Sequence, residues 1–128
     1  MKKYIALFFV LSAFNTMACQ KMTYDPWIHF VIKEQFINDD GMMLWHHDQG
    51  RIYGAHYVKA GELRGDKVYD CNGSLVVEKR GDSIYDKNGS AIFKIVGSRV
   101  YDKNGKIVAD IRGNRVYNGD GSLYGEMK

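Results

Sequence analysis

The sequence predicts an all-β fold: an antiparallel meander of four, or six, 16-residue hairpin repeats closing into a shallow pseudo-fourfold ring or barrel. Three observations carry this. Fourteen glycines and nine tyrosines stand against a single proline, which implies many tight turns between short strands, because Gly supplies positive φ and Tyr suits a pleated surface. The last half repeats without a gap, as GDKVYDCNGSLVVEKR, GDSIYDKNGSAIFKIV, GSRVYDKNGKIVADIR and GNRVYNGDGSLYGEMK, beginning at Gly65, Gly81, Gly97 and Gly113. One such hairpin cannot bury its own apolar side, so the units must stack or close on one another, and closure also removes exposed sheet edges.

Two turn signatures alternate. Gly81-Asp82, Gly97-Ser98 and Gly113-Asn114 are Gly-X pairs between strand-like runs, the mark of a two-residue hairpin loop. Asp86-Lys87-Asn88-Gly89 and its counterparts read as type I turns, with Asp accepting at the first position and Gly closing at positive φ. Identical units can share one core only if this second loop counts as even, through four residues or through three with a bulge. Leu75 is then expected opposite Val68. That register puts Val68, Leu75, Val77, Ile84, Ala91, Phe93, Ile95, Val100, Ile107, Ala109, Ile111, Val116, Leu123 and Gly125 inside, interrupted by Lys79. It puts Tyr69/Val76, Tyr85/Ile92, Tyr101/Val108 and Tyr117/Tyr124 outside, as an aromatic and apolar rim near the Asn-Gly turns. Charged residues gather toward the other turns.

Ahead of the repeats the chain divides into three parts. Residues 1–18 have the layout of a secretory signal peptide: two lysines, an apolar run and small residues before a cut. Thr16-Met17-Ala18-Cys19 is similar to a bacterial lipobox, with Thr16 where leucine is usual; Cys19 is the expected site of lipid attachment. If Cys19 is not acylated, it can pair with Cys71, the one other cysteine. Residues 19–24 form a tether. In residues 25–64, Asp25-Pro26 reads as a helix start, and Trp27–Ile37 is expected to form a short helix over one end of the ring, although WIHFVIK would serve equally as a strand. Ile52-Tyr53 and Asp40-Gly41 keep the 16-residue phase, which makes residues 33–64 two decayed units.

Composition and motifs narrow the function. The formal charge is +3, but removing Lys2 and Lys3 with the leader leaves 16 basic against 15 acidic residues; no basic stripe suited to nucleic acid remains. His46, His47, Asp48 and His56 suggest a metal site, yet neighbours on a strand point to opposite faces, so only one of His46 and His47 could join His56. Asp70, Asp86, Asp102 and Asn118 recur at the spacing of a cation ring, but each stands where a turn wants a side-chain acceptor. No nucleophile, phosphate-cradling or dinucleotide motif occurs. No catalytic residue, metal or cofactor is therefore assigned.

The G-x-x-[VI]-Y-[DN]-x-[ND]-G units behind a lipoprotein-like leader resemble the four-fold β-flower family, small all-β proteins with hairpin petals around an axis. The resemblance covers residues 65–128 well and 33–64 poorly. It implies the fold and frequent membrane tethering, and no particular activity. The expected function is a non-catalytic binding or scaffolding module, a membrane-tethered lipoprotein of the bacterial cell envelope anchored to the outer membrane and facing the periplasm. Its tyrosine rim would meet the membrane or an envelope protein. A soluble periplasmic or secreted glycan or ligand binder, and a metal-dependent enzyme using His46 or His47 with His56, are the alternatives.

Overall fold

Short runs of β-branched and aromatic residues between glycine turns do form strands from Gln35 onward. The structure, a computed structural model, describes residue 21 and residues 25–128. The expected signal peptide, Cys19 and all of the 19–24 tether but residue 21 lie outside the described residues. Twelve strands follow one another: β1 (Gln35–Ile37), β2 (Met43–Asp48), β3 (Arg51–Tyr53), β4 (Lys59–Arg64), β5 (Lys67–Asp70) and β6 (Leu75–Arg80), then β7 (Ser83–Asp86), β8 (Ala91–Val96), β9 (Arg99–Asp102), β10 (Ile107–Arg112), β11 (Arg115–Asn118) and β12 (Leu123–Met127). Each pairs antiparallel with its sequence neighbours, and β1 pairs with β12, so the sheet is a closed barrel.

The ring thus has six hairpins, four strict and two diverged, and residues 33–64 complete it. One backbone bond displays the sixfold repetition. The amides of His47, Leu63, Lys79, Ile95, Ile111 and Met127 donate to the carbonyls of Glu34, Gly50, Asp66, Asp82, Ser98 and Asn114, sixteen residues apart, at 2.6–2.8 Å. The Gly-X turns have Gly at φ near +60° (Gly65, Gly81, Gly97, Gly113), as a type II′ hairpin needs. Gln49-Gly50 reaches the same connection with positive φ at both residues, the type I′ alternative.

At the second loop the structure takes the bulged solution, which corrects the expected register. Val68 lies opposite Val77 and Tyr69 opposite Leu75, with Val76 as the extra residue; the same shift occurs at β7–β8, β9–β10 and β11–β12. Leu75, Ala91, Ile107 and Leu123 therefore pair with the tyrosines, where a place inside was expected. Val76, Ile92, Val108 and Tyr124, expected on the rim, pack against the core instead. A bulge turns its extra residue out of strict alternation, so simple parity fails at the first two residues of the strand after each Asn-Gly turn and holds elsewhere. Val68, Ile84, Val100 and Val116 are fully buried as expected.

The helix is shorter than expected. A single 3-10 turn spans Pro26–Phe30, with Pro at its start, and β1 already occupies Gln35–Ile37. The turn plugs the barrel: Trp27, Ile28 and His29 are at most 1% exposed. Trp27 meets the edge of Tyr124 on β12, while His29 meets Trp45 and His47 on β2. With Phe36, Trp45 and Ile52 also buried, side chains fill the interior. No helix among the described residues is long and apolar enough to cross a membrane.

Candidate binding surface

The turns come first, because they aim the strands. Asp70, Asp86 and Asp102 each accept two backbone N–H groups, from residues two and four further on, at 2.9–3.0 Å. Asn38 does the same in the first diverged unit. These side chains are committed to their own turns, as the turn chemistry predicts, and they form no cation ring. In the fourth strict unit Asp120 takes over, accepting from the Ser122 amide and hydroxyl. These bonds hold its carboxyl below the usual range.

The outer wall is built from cross-strand pairs. Tyr69, Tyr85, Tyr101 and Tyr117 lie opposite Glu62, Glu78, Lys94 and Asp110. Two residues after each acid stands an arginine whose guanidinium covers the tyrosine ring. Arg64 lies 5.2 Å from the Tyr69 centroid, Arg80 4.8 Å from Tyr85 and Arg112 5.2 Å from Tyr117. Each arginine is also ion-paired to the acid of its own strand: Glu62 at 2.7 Å, Glu78 at 3.2 Å and Asp110 at 3.1 Å. Hydrogen bonds from Arg64 and then Lys59 lower the Glu62 pKa. Exposed pairs of this kind add little stability, but they turn three of the four rim tyrosines into sheathed, polar-edged rings. Tyr101 has no such cover among the described residues. The rim is therefore narrower and more polar than an apolar belt.

Inside the barrel lies a group that sequence reasoning did not single out. His29 Nδ1 and His47 Nε2 are 3.0 Å apart, one donating and one accepting, and the rings stack with centroids 5.3 Å apart. His47 fills the place held by Leu63, Lys79, Ile95, Ile111 and Met127 in sister units; an imidazole at a mostly aliphatic position was the signal available. Burial, and then the charge of His47, push the His29 pKa down to about 3. Burial, and then His46, push His47 down to about 4. Both imidazoles are neutral at ordinary pH.

The metal constellation does not assemble. His47 points in, His46 lies outside against Tyr53 and Tyr57, and His56 sits in an exposed turn. Among the described residues no group of three potential ligands forms. Cys71 is disulfide-bonded.

Residues 82–128 match the model of the 4-fold beta flower protein family, in agreement with the resemblance carried by the repeats. The match takes in the last three of the six hairpins. No curated protein and no solved structure matches the chain.

Proposed function

We propose that the chain is an exported, non-catalytic binding module of the bacterial cell envelope that engages its partner through the outer wall of the barrel. The observation carrying this reading is the division of labour between the two faces. The interior is closed by a plug and filled with Trp27, Phe36 and Trp45, while repeated tyrosines stand outside beside paired charges. Rings flanked by guanidinium and carboxylate groups suit a polar partner, an envelope protein or glycan, better than lipid chains. Strands of three to six residues are also shorter than the roughly 9–11 that a membrane-spanning strand needs.

The test uses the lipid-free protein with Tyr69, Tyr85, Tyr101 and Tyr117 changed to Ser. Retention on isolated envelope fragments is expected to fall several-fold, with little flotation of either form on liposomes. Unchanged retention would remove the outer wall from the mechanism. Equal loss from liposomes and fragments would return the membrane as the partner.

The lipobox-like stretch favours a lipid tether on Cys19 that would keep such a module at the membrane, whereas the disulfide at Cys71 favours a soluble form. The Cys19 sulfur can carry a thioether to lipid or a disulfide to Cys71, not both. The intact mass of the mature protein separates the two. A mass two hydrogens below the sequence value from Cys19 onward is expected for the soluble form, and several hundred daltons of added acyl mass for the tethered one.

A further inference from the structure

One unit breaks the charge pattern of the outer wall. Across neighbouring strands a base faces an acid at Arg51–Glu62, Lys67–Glu78, Arg99–Asp110 and Arg115–Glu126. In the unit beginning at Gly81 the same pair is Ser83–Lys94. Where Arg64, Arg80 and Arg112 shield tyrosines, this unit has Val96, which is 45% exposed. Lys94 therefore stands directly opposite Tyr101, with no arginine covering the ring. Among the described residues neither Lys94 nor Arg99 has a carboxylate within ion-pair distance; Asp110, opposite Arg99, is held by Arg112. Among the described residues the ring lies beside two cations that form no ion pair of their own.

A groove of about 230 Å³ continues this strip, lined by Arg99, Ile107, Arg112, Tyr117 and Gly119 among others. Asp110 also lines it, but its carboxylate is paired to Arg112 and leaves Arg99 as the cation without an ion pair there. Gly119, in the groove wall, lies close against the backbone of β10. A Cβ there would collide with the Ile107 carbonyl oxygen, whereas the sister turns carry Lys87 and Lys103 at that position.

We propose that the face formed by Lys94, Val96, Arg99 and Tyr101, with the adjoining groove, binds a carboxylated polysaccharide. This deepens the outer-wall reading and rests on it. The cations supply charge-assisted hydrogen bonds to a carboxylate, and the uncovered Tyr101 ring, with Val96 beside it, offers an apolar face to a sugar ring. An acidic peptide is the less suitable occupant. A peptide's extended backbone gains most on a sheet by adding a strand to a free edge, and a closed barrel has none. The strip crosses β8 to β11, about 14 Å at ordinary strand spacing, so a chain of several sugar units engages both halves.

Isothermal titration with trigalacturonate, a neutral galactose trimer and a glutamate decamer tests this on the mature protein. Trigalacturonate is expected to bind, weakening with added salt, and the neutral trimer not to. Lys94→Glu restores the charge of the sister units and should weaken binding at least tenfold; Val96→Arg, by covering Tyr101, should weaken it several-fold. No binding by the unaltered protein, or binding indifferent to Lys94→Glu, overturns the proposal. Equal affinity for the glutamate decamer overturns the carbohydrate assignment. Envelope retention that depends on the tyrosines, without trigalacturonate binding, would remove the ligand class and leave the outer-wall reading standing.

Discussion

Lowering the pH from 7 to 5 is expected to cost the barrel about 4 kcal/mol of folding stability, through His29 and His47 alone. The folded pKa values are about 3 and about 4, against about 6.5 for an unfolded histidine. Below pH 6.5 the unfolded chain therefore binds more protons than the folded one, and stability falls as pH falls. The contribution is fully present above 6.5 and is lost progressively down to the folded values. At pH 5 each histidine accounts for roughly 2 kcal/mol, at about 1.4 kcal/mol per pH unit. The total is a large share of the roughly 5–15 kcal/mol of an ordinary domain. Urea unfolding at pH 7.5, 6 and 5, followed by the fluorescence of buried Trp27 and Trp45, measures it. The control is His29→Phe with His47→Leu, since Leu63 fills the corresponding place in the next unit. That pair should flatten the profile between pH 7 and 5. His47→Leu alone should not be benign, because His29 Nδ1 then loses its partner while buried, at about 1–3 kcal/mol. A parent curve that does not move between pH 7 and 5 would mean that the imidazoles charge inside the barrel as freely as in water.

Much of this fold was legible in the residues, and the exceptions share a physical cause. The four strict units announced themselves because both turns demand glycine at positive φ. The unit 49–64 is harder to recognise because it meets the same demand differently. Its Gly is displaced to Gly50 beside Gln49 at φ 51°. Its second turn uses Tyr57 at φ 59° where Gly73, Gly89 and Gly105 stand elsewhere. The backbone bonds survive regardless: Gly54 N–H donates to the Val58 carbonyl at 2.8 Å, as Asp70 N–H does to Ser74 at 2.9 Å. The bulge was foreseen as one of two ways to keep the core continuous, but parity could not say which residue it would turn inward. Val76, Ile92, Val108 and Tyr124 went to the core as a result, and Leu75, Ala91, Ile107 and Leu123 took their places beside the tyrosines. The sheath over three of them depends on arginines two places beyond an acid on a twisted strand, a relation visible only in three dimensions. The same is true of His29, whose neighbour His47 is eighteen residues away.

Replacing Gly125 by Val is expected to destabilise the protein by about 2–3 kcal/mol, although sister units carry Val77, Phe93 and Ala109 in the same column. The reason lies at the seam where the ring closes. β12 meets β1 there through only two register pairs, Phe36–Met127 and Ile37–Glu126. Phe36 occupies the position that Ile52, Val68, Ile84, Val100 and Val116 fill in the other units, and its larger ring uses the space that glycine leaves. A Cβ on Gly125 would lie 2.6 Å from Phe36 Cζ and 2.7 Å from the Ile37 carbonyl oxygen. The ring is confined by Tyr124, 5.0 Å away and edge-on, and the oxygen is backbone. Overpacking a well-filled core costs about 1–3 kcal/mol, and relief here would have to open the seam. Phe36→Val should relieve only the ring's share. Denaturant midpoints for Gly125→Ala, Phe36→Val and the pair form a cycle in which a favourable coupling of about 1–2 kcal/mol is expected. Strict additivity would mean that the two residues do not share that space. A Gly125→Val protein as stable as its parent would mean that the closing pair of strands is not held in the register described.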